Sequence, residues 1–206
     1  ILLDSVRGQN KARGEFRDKQ NWIGKPGSPI EEASFVPPPP SQLMEHLSNF
    51  ENYVHHKESD RLIQLAIVHA QFELIHPFLD GNGRVGRILI PLFLYEKGLL
   101  SSPMFYLSAY LEKNRDAYYG GLSGISSEGN WNNWFIFFLK AIIEQSKVNS
   151  EKAKSIIDLY DQMKVEFSKS TRSQFSIQAL DALFDKPIFT TTNFINRSGI
   201  SKNSAL

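Results

Sequence analysis

A chain of 206 residues with 41% hydrophobic side chains can bury one full core and a small second unit. Its 23 Lys and Arg against 22 Asp and Glu leave a formal charge of +1, which removes any bulk electrostatic case for nucleic acid or membrane binding. There is no cysteine, no signal-peptide pattern, no zinc-type histidine spacing and no apolar run near the roughly 20 residues of a membrane span, so a cytoplasmic protein without a structural metal is expected.

In chain order, Ile1 to Val6 reads as the tail of a helix and Arg7 to Gly14 as a polar, basic loop; with Ile rather than Met in first place, a fragment of a longer polypeptide is expected. Between 14 and 24, Phe16 and Trp22-Ile23 flank the polar pair Asp18-Lys19, which predicts a small β-hairpin. Pro37 to Pro40 form a stiff connector before a helix from about Ser41 to His56. The apolar run Leu62 to Ile75 predicts a buried helix that Pro77 stops at His76. Within it, His69 has no partner motif and reads as a packed core residue. A second apolar helix follows from Arg84 to Tyr95, ended by Gly98, and another spans Leu107 to Tyr119. Ser123 to Asn130 reads as a loop, Trp134 to Ala141 as a core helix. Lys147 to Lys169 reads as an amphipathic helix burying Val148, Ile156, Ile157, Leu159, Tyr160 and Met163. The tail, about 171–206, resembles the start of a winged helix-turn-helix: Thr190 or Thr191 caps a helix and Ser198-Gly199-Ile200-Ser201 makes the turn before a recognition-type helix.

The stretch His76-Pro77-Phe78-Leu79-Asp80-Gly81-Asn82-Gly83-Arg84-Val85-Gly86-Arg87 carries the chemistry. Asp-Gly-Asn-Gly alone is usually just a turn, but a turn needs neither a preceding histidine nor two following arginines at helical spacing. Gly81 and Gly83 can adopt positive φ, so the backbone N–H groups around Asn82 can form an anion nest at the start of a helix. Arg84 and Arg87 share one face and suit phosphates. Asp80 is the natural magnesium ligand, because magnesium takes one or two carboxylates plus phosphate oxygens and water. His76, at the loop edge, is the candidate general base. Phe78 is expected to anchor the loop in the core.

At these positions the stretch resembles the signature of the Fic family, His-x-Phe-x-Asp/Glu-Gly-Asn-Gly-Arg-x-x-Arg. The resemblance implies a mainly α fold of Fic/Doc type, a Fic domain over 1–145, a connecting helix over 146–170 and the partial winged-helix unit. It implies transfer of AMP from ATP to a Ser, Thr or Tyr hydroxyl of a target protein or of the chain itself, with Mg2+ and ATP bound at Asp80, Gly81, Asn82, Gly83, Arg84, Gly86 and Arg87. The string Gly14 to Gly24 looks like a Fic flap, so Phe16, Arg17, Asn21, Trp22 and Ile23 are expected to dock the target by strand addition. By the same resemblance Glu32, Ala33, Ser34 and Phe35, with Tyr118 and Tyr119, line the nucleotide pocket. Many Fic proteins also carry an inhibitory helix, Ser/Thr-x-x-x-Glu-Gly/Asn, whose Glu pairs with the second motif arginine, here Arg87. Ser28 to Glu32 matches the spacing but ends in Ala33, so such a helix is expected upstream of Ile1.

Two classes compete. One is an ATP-dependent nucleotidyltransferase, with removal of AMP or another nucleotidyl or phosphoryl transfer as variants on the same site. The other is a transcription regulator that touches DNA through its tail and uses the Fic-like core as a sensor. The unsubstituted motif favours the enzyme, and oligomeric state, a homodimer included, stays open.

Overall fold

The computed structural model describes residues 14–25 and 27–201, and among these there are helices but no strand. The expected helical tail at Ile1 to Val6 and the basic loop up to Arg13 lie outside the described residues. A short 3-10 turn, Ile30–Glu32, precedes α1 (Pro40–His55), α2 (Arg61–Ile75), α3 (Asn82–Glu96), α4 (Ser108–Lys113), α5 (Arg115–Glu128), α6 (Trp131–Thr171), α7 (Ser176–Asp185) and α8 (Thr191–Ser198). Contacts divide the chain into two units, Ile1–Ser146 and Lys147–Leu206.

In the first unit α2 is the central helix, packed against α1, α3 and α5. Asp60 starts it, its carboxylate accepting from the N–H groups of Leu62 (2.9 Å) and Ile63 (3.1 Å). It is apolar on several faces, with Leu65, Ala66, Val68, Ala70 and Phe72 all buried, as a helix enclosed by others must be. α1 begins on Pro40, inside the proline run, because a proline at the first helical position gives up only an N–H with no helical partner. The buried Gln64 closes its far end, donating to the carbonyls of Tyr53 (2.8 Å) and His56 (3.0 Å). The core gathers Ile90, Phe93, Leu94, Leu111, Leu122, Trp134 and Phe138 around α2. The fully buried Trp134 satisfies its indole N–H on the carbonyl of Ala66 at 2.8 Å.

Several boundaries differ from expectation. The helix expected over Leu107 to Tyr119 breaks at Asn114 (φ −115°, ψ 37°), whose amide donates to the carbonyl of Tyr110 at 2.8 Å. The expected loop Ser123 to Asn130 is instead the last part of α5, which stops at Gly129 with φ +66°. The connector expected over 146–170 is not a separate element but the continuation of α6.

No hairpin forms between residues 14 and 24. The pairing is a single antiparallel bridge, Ile23 to Phe35, because the polar groups of this segment are spent on the motif loop. The N–H of Arg17 donates to the carbonyl of Pro77 (2.9 Å) and the amide of Asn21 to that of Phe78 (3.0 Å).

In the second unit α7 packs on α8. Thr190 caps α8 by accepting from the N–H of Asn193 (3.3 Å), and Gly199 ends it at φ +67°. The expected recognition helix falls beyond Ser201, outside the described residues, and no wing strand occurs among those described. The stripe expected to be buried on the later part of α6 is open: Val148, Ile156, Ile157 and Leu159 are each about half exposed or more. Helical spacing marks an apolar face without saying what covers it.

Candidate active site

His76 ends α2 in the left-handed conformation (φ 49°, ψ 60°), a position forced by Pro77 and unusual for a residue with a side chain. Its Nδ1 lies 3.2 Å from the carbonyl oxygen of Glu73. A carbonyl only accepts, so Nδ1 carries the hydrogen and the lone pair is on Nε2. Arg17 grips the same helix end. Its Nε donates to the carbonyl of His76 (2.9 Å) and its Nη2 to those of Pro38 (2.5 Å) and Ile75 (3.3 Å). Burial holds the imidazole below its ordinary pKa; the Arg17 charge pushes the same way, while the Glu73 carbonyl and Asp80 oppose it. The result is a neutral base with one free nitrogen. Arg17, expected to dock a target, is 3% exposed and works instead as a cationic clamp on helix carbonyls.

The turn from Phe78 to Asn82 is locked by one side chain. The fully buried Asn82 accepts from the N–H of Phe78 (2.8 Å) and donates to its carbonyl (2.6 Å). Its amide is therefore committed to the loop, and an anion would find only its backbone N–H. Gly81 takes φ +89° as the N-cap of α3, and the N–H groups of Arg84 and Val85 both return to its carbonyl at 3.0 Å. Helix geometry leaves the N–H groups of Asn82 and Gly83 pointing outward, at the positive end of the helix dipole. Phe78 is half-buried, its ring 5.6 Å from that of Phe16 and 6.5 Å from that of Phe72.

Asp80 lies 3.8 Å from Arg84, both side chains about one-third exposed. Among the described residues no group of three or more His, Asp or Glu could hold a metal ion. Asp80 fits magnesium as a single ligand whose remaining coordination comes from phosphate oxygens and water.

Two of the motif glycines have a different reason from the one expected. Gly83 and Gly86 are helical, without positive φ. A Cβ at Gly83 would lie 3.0 Å from Nη1 of Arg87, and one at Gly86 would collide with Oε1 of Glu73. Both are bare so that α2 can approach and the Arg87 guanidinium can fold over the first turn of α3. Gly86 thus packs against α2 rather than meeting a phosphate.

Behind that turn lies a polar cluster. His69 is buried, its Nδ1 donating to the carbonyl of Gly86 (3.2 Å) and its Nε2 accepting from the Tyr118 hydroxyl (3.1 Å). Burial pushes its pKa down to about 4, with the Arg87 charge adding to this and the Gly86 bond opposing it. Burial likewise keeps Tyr118 protonated. Glu73, 8% exposed, has its carboxyl pushed up to about 7 by burial, against the pull of Arg87, and its Oε1 has no hydrogen-bond partner among the described residues.

A cavity of about 460 Å³ opens beside this cluster, lined by Ile23, Ser34, Phe35, Glu73, Leu74, Arg115, Tyr119, Gly120, Leu122 and Ser123. That volume suits a small-molecule ligand. Of the pocket residues expected from the sequence, Ser34, Phe35 and Tyr119 line it, and so does Ile23. Glu32 and Ala33 do not, being held in and after the 3-10 turn. Tyr118 faces the core through His69, and lines a neighbouring cavity of about 330 Å³ that also includes Arg87 and Arg115. Phe16 and Trp22 remain 47% and 41% exposed. Glu73 and Arg115 escaped the sequence reading. For Glu73 the available signal was an acid four residues after His69 and three before His76, within an otherwise apolar helix.

Residues 1–94 match the Fic/DOC family. A probable protein adenylyltransferase of Aquifex aeolicus is 37% identical over 91 residues, covering 44% of this chain and 28% of that protein. A protein adenylyltransferase Fic of Drosophila grimshawi is 29% identical over 131 residues, covering 62% and 23%. The aligned stretches thus span less than a third of these curated relatives. A crystal structure of a Fic family protein from Desulfovibrio desulfuricans superimposes with a TM-score of 0.60 at 20% identity, covering 95% of this chain and 53% of that one, which establishes likeness of fold.

Proposed function

We propose that this chain, whose matches support membership of the Fic/DOC family, is the catalytic part of a protein adenylyltransferase. The observation that carries the reading is the neutral His76, with Nε2 free, close in sequence to the N-terminus of α3 and its two arginines. ATP lies with its base in the 460 Å³ cavity and its phosphates at the N–H groups of Asn82 and Gly83, where Arg84 and Arg87 hold the β- and γ-phosphates. A target Ser, Thr or Tyr hydroxyl loses its proton to Nε2 of His76 as its oxygen bonds to the α-phosphorus. The bond from that phosphorus to the bridging oxygen breaks, and pyrophosphate leaves with the electron pair. Asp80 would hold magnesium, which supplies neutralisation of the phosphate charge. The exposed Phe16 and Trp22 meet the target beside the loop.

The test is incubation with ATP labelled at the α- or the γ-phosphate, in magnesium. Label is expected on protein only from the α-position, and His76→Ala should abolish it while ATP still binds, since a base lowers the barrier rather than adding phosphate affinity. Transfer from the γ-label alone would make the protein a phosphotransferase and overturn this reading.

A further inference from the structure

Arg115 lines both the 460 Å³ cavity and the smaller one of about 330 Å³, and so does Tyr119. The two spaces adjoin at this pair. The Arg115 guanidinium stands over the Tyr119 ring, 5.6 Å from its centroid, a contact that engages the ring face and spends none of the N–H donors. Arg87, from α3, lines the smaller cavity as well. Two permanently charged guanidiniums facing one small space repel each other unless an anion lies between them. Among the described residues the only acid in that lining is Glu112, 3.9 Å from Arg115 and with its side chain 79% exposed, so solvent screens it. Ser108 adds a hydroxyl donor. The smaller cavity is thus built for negative charge.

We infer that Arg115 is a further nucleotide-binding residue, and that the 330 Å³ cavity takes the outermost phosphate of a nucleoside triphosphate between Arg115 and Arg87. This deepens the adenylyltransferase reading and rests on it. A neutral base or ribose offers nothing to two fixed cations, whereas a terminal phosphate presents oxygens that suit the forked donors of both. Arg115 opens α5 and Arg87 belongs to α3, so a phosphate held by both ties the far end of the nucleotide to two helices. Arg84 lies instead beside Asp80, at 3.8 Å, which leaves it to the inner phosphates. Arg115 would touch the leaving pyrophosphate and take no proton.

Calorimetric titration of the whole chain with ATP, AMP and inorganic pyrophosphate, in magnesium, tests this. Arg115→Met keeps the stem and removes the charge, and with a side chain 63% exposed in the parent it should fold normally. It should weaken ATP and pyrophosphate by about five- to tenfold and leave AMP, which has no outer phosphate, nearly unchanged. Arg115→Lys, which keeps the charge but not the fork, should recover part of the loss. Glu112→Gln removes the screened acid and should tighten pyrophosphate about twofold at low salt, a gain that misfolding cannot produce. Unchanged ATP binding by Arg115→Met overturns the assignment while leaving the adenylyltransferase reading intact. Equal weakening of ATP and AMP moves Arg115 to the base or ribose and also overturns it. So does a weaker hold on pyrophosphate in Glu112→Gln. A wild type that binds none of the three ligands removes the nucleotide site itself, and this assignment with it.

Discussion

Arg17 and His76 act as a pair across the chain. The guanidinium satisfies three carbonyls at the end of α2 and in the proline run, and its charge helps keep the imidazole neutral. Arg17→Met retains the stem but strands those buried acceptors, so a loss of about 2 kcal/mol is expected in denaturant unfolding. The same variant removes one of the influences that lower the His76 pKa. Its pKa must then rise, and the acid limb of the pH–rate profile should move to higher pH relative to the wild type. A limb left in place would show that Arg17 does not reach His76 electrostatically. The glycines of the motif separate by the same kind of reasoning. Gly86→Ala drives a methyl group into Oε1 of Glu73 with Phe72 close behind, so destabilisation of about 1–3 kcal/mol is expected. Gly83→Ala meets only the flexible tip of Arg87 and should leave thermal stability near wild type while weakening ATP binding. Equal loss of stability in both variants would contradict this division.

At the scale of elements, the packing of α2 against α3 encloses two groups with opposite responses to pH. His69 has its folded pKa lowered to about 4, so between there and the unfolded value of about 6.5 the unfolded chain binds the extra proton and stability rises with pH. Glu73 has its carboxyl raised to about 7 from 4.5, so over that interval the folded chain binds the extra proton and stability falls as pH rises. The two slopes oppose each other across roughly pH 4.5 to 6.5. Removing one should expose the other: Glu73→Gln is expected to gain stability steadily from pH 4.5 to 6.5, by an amount on the order of 2–3 kcal/mol at most, in urea unfolding followed by circular dichroism. A profile in Glu73→Gln as flat as the wild type would sink the balance. The helices around the motif were legible, because Pro77 stops α2, Gly81 starts α3 and Gly98 lies just past its end by local chemistry, whereas the last part of α5 up to Gly129 read as a loop. Of the candidate site, the part that lies in one contiguous stretch was legible: His76, Asp80, Gly81, Arg84 and Arg87 fall around one turn. What escaped was set by distant partners. The break at Asn114, the absence of a hairpin and the burial of Glu73 depend on which carbonyls and helices lie opposite, and periodicity along one segment carries no such information.

For the whole molecule, the division of labour between the two units is the open physical question. The core cluster runs from Leu65 to Ile142, so all of it belongs to the first unit, Ile1–Ser146, and so does every residue assigned to nucleotide or base. The second unit has its own ties: the Tyr160 ring meets Phe184 edge-on at 5.1 Å and its hydroxyl donates to Asp181 at 2.6 Å, while Arg197 pairs with Asp185 at 3.2 Å. A chain ending at Ser146 should therefore keep a cooperative unfolding transition within a few degrees of the parent and bind ATP with unchanged affinity, although the cut end of α6 will fray. Both quantities are read by scanning calorimetry and titration of the two forms side by side. If the shortened chain lost its transition, the apolar face at Val148, Ile156, Ile157 and Leu159 would have to support the first unit. If it kept the transition but lost ATP, residues beyond Ser146 would have to belong to the nucleotide site, and the boundary of the catalytic unit drawn here would be wrong.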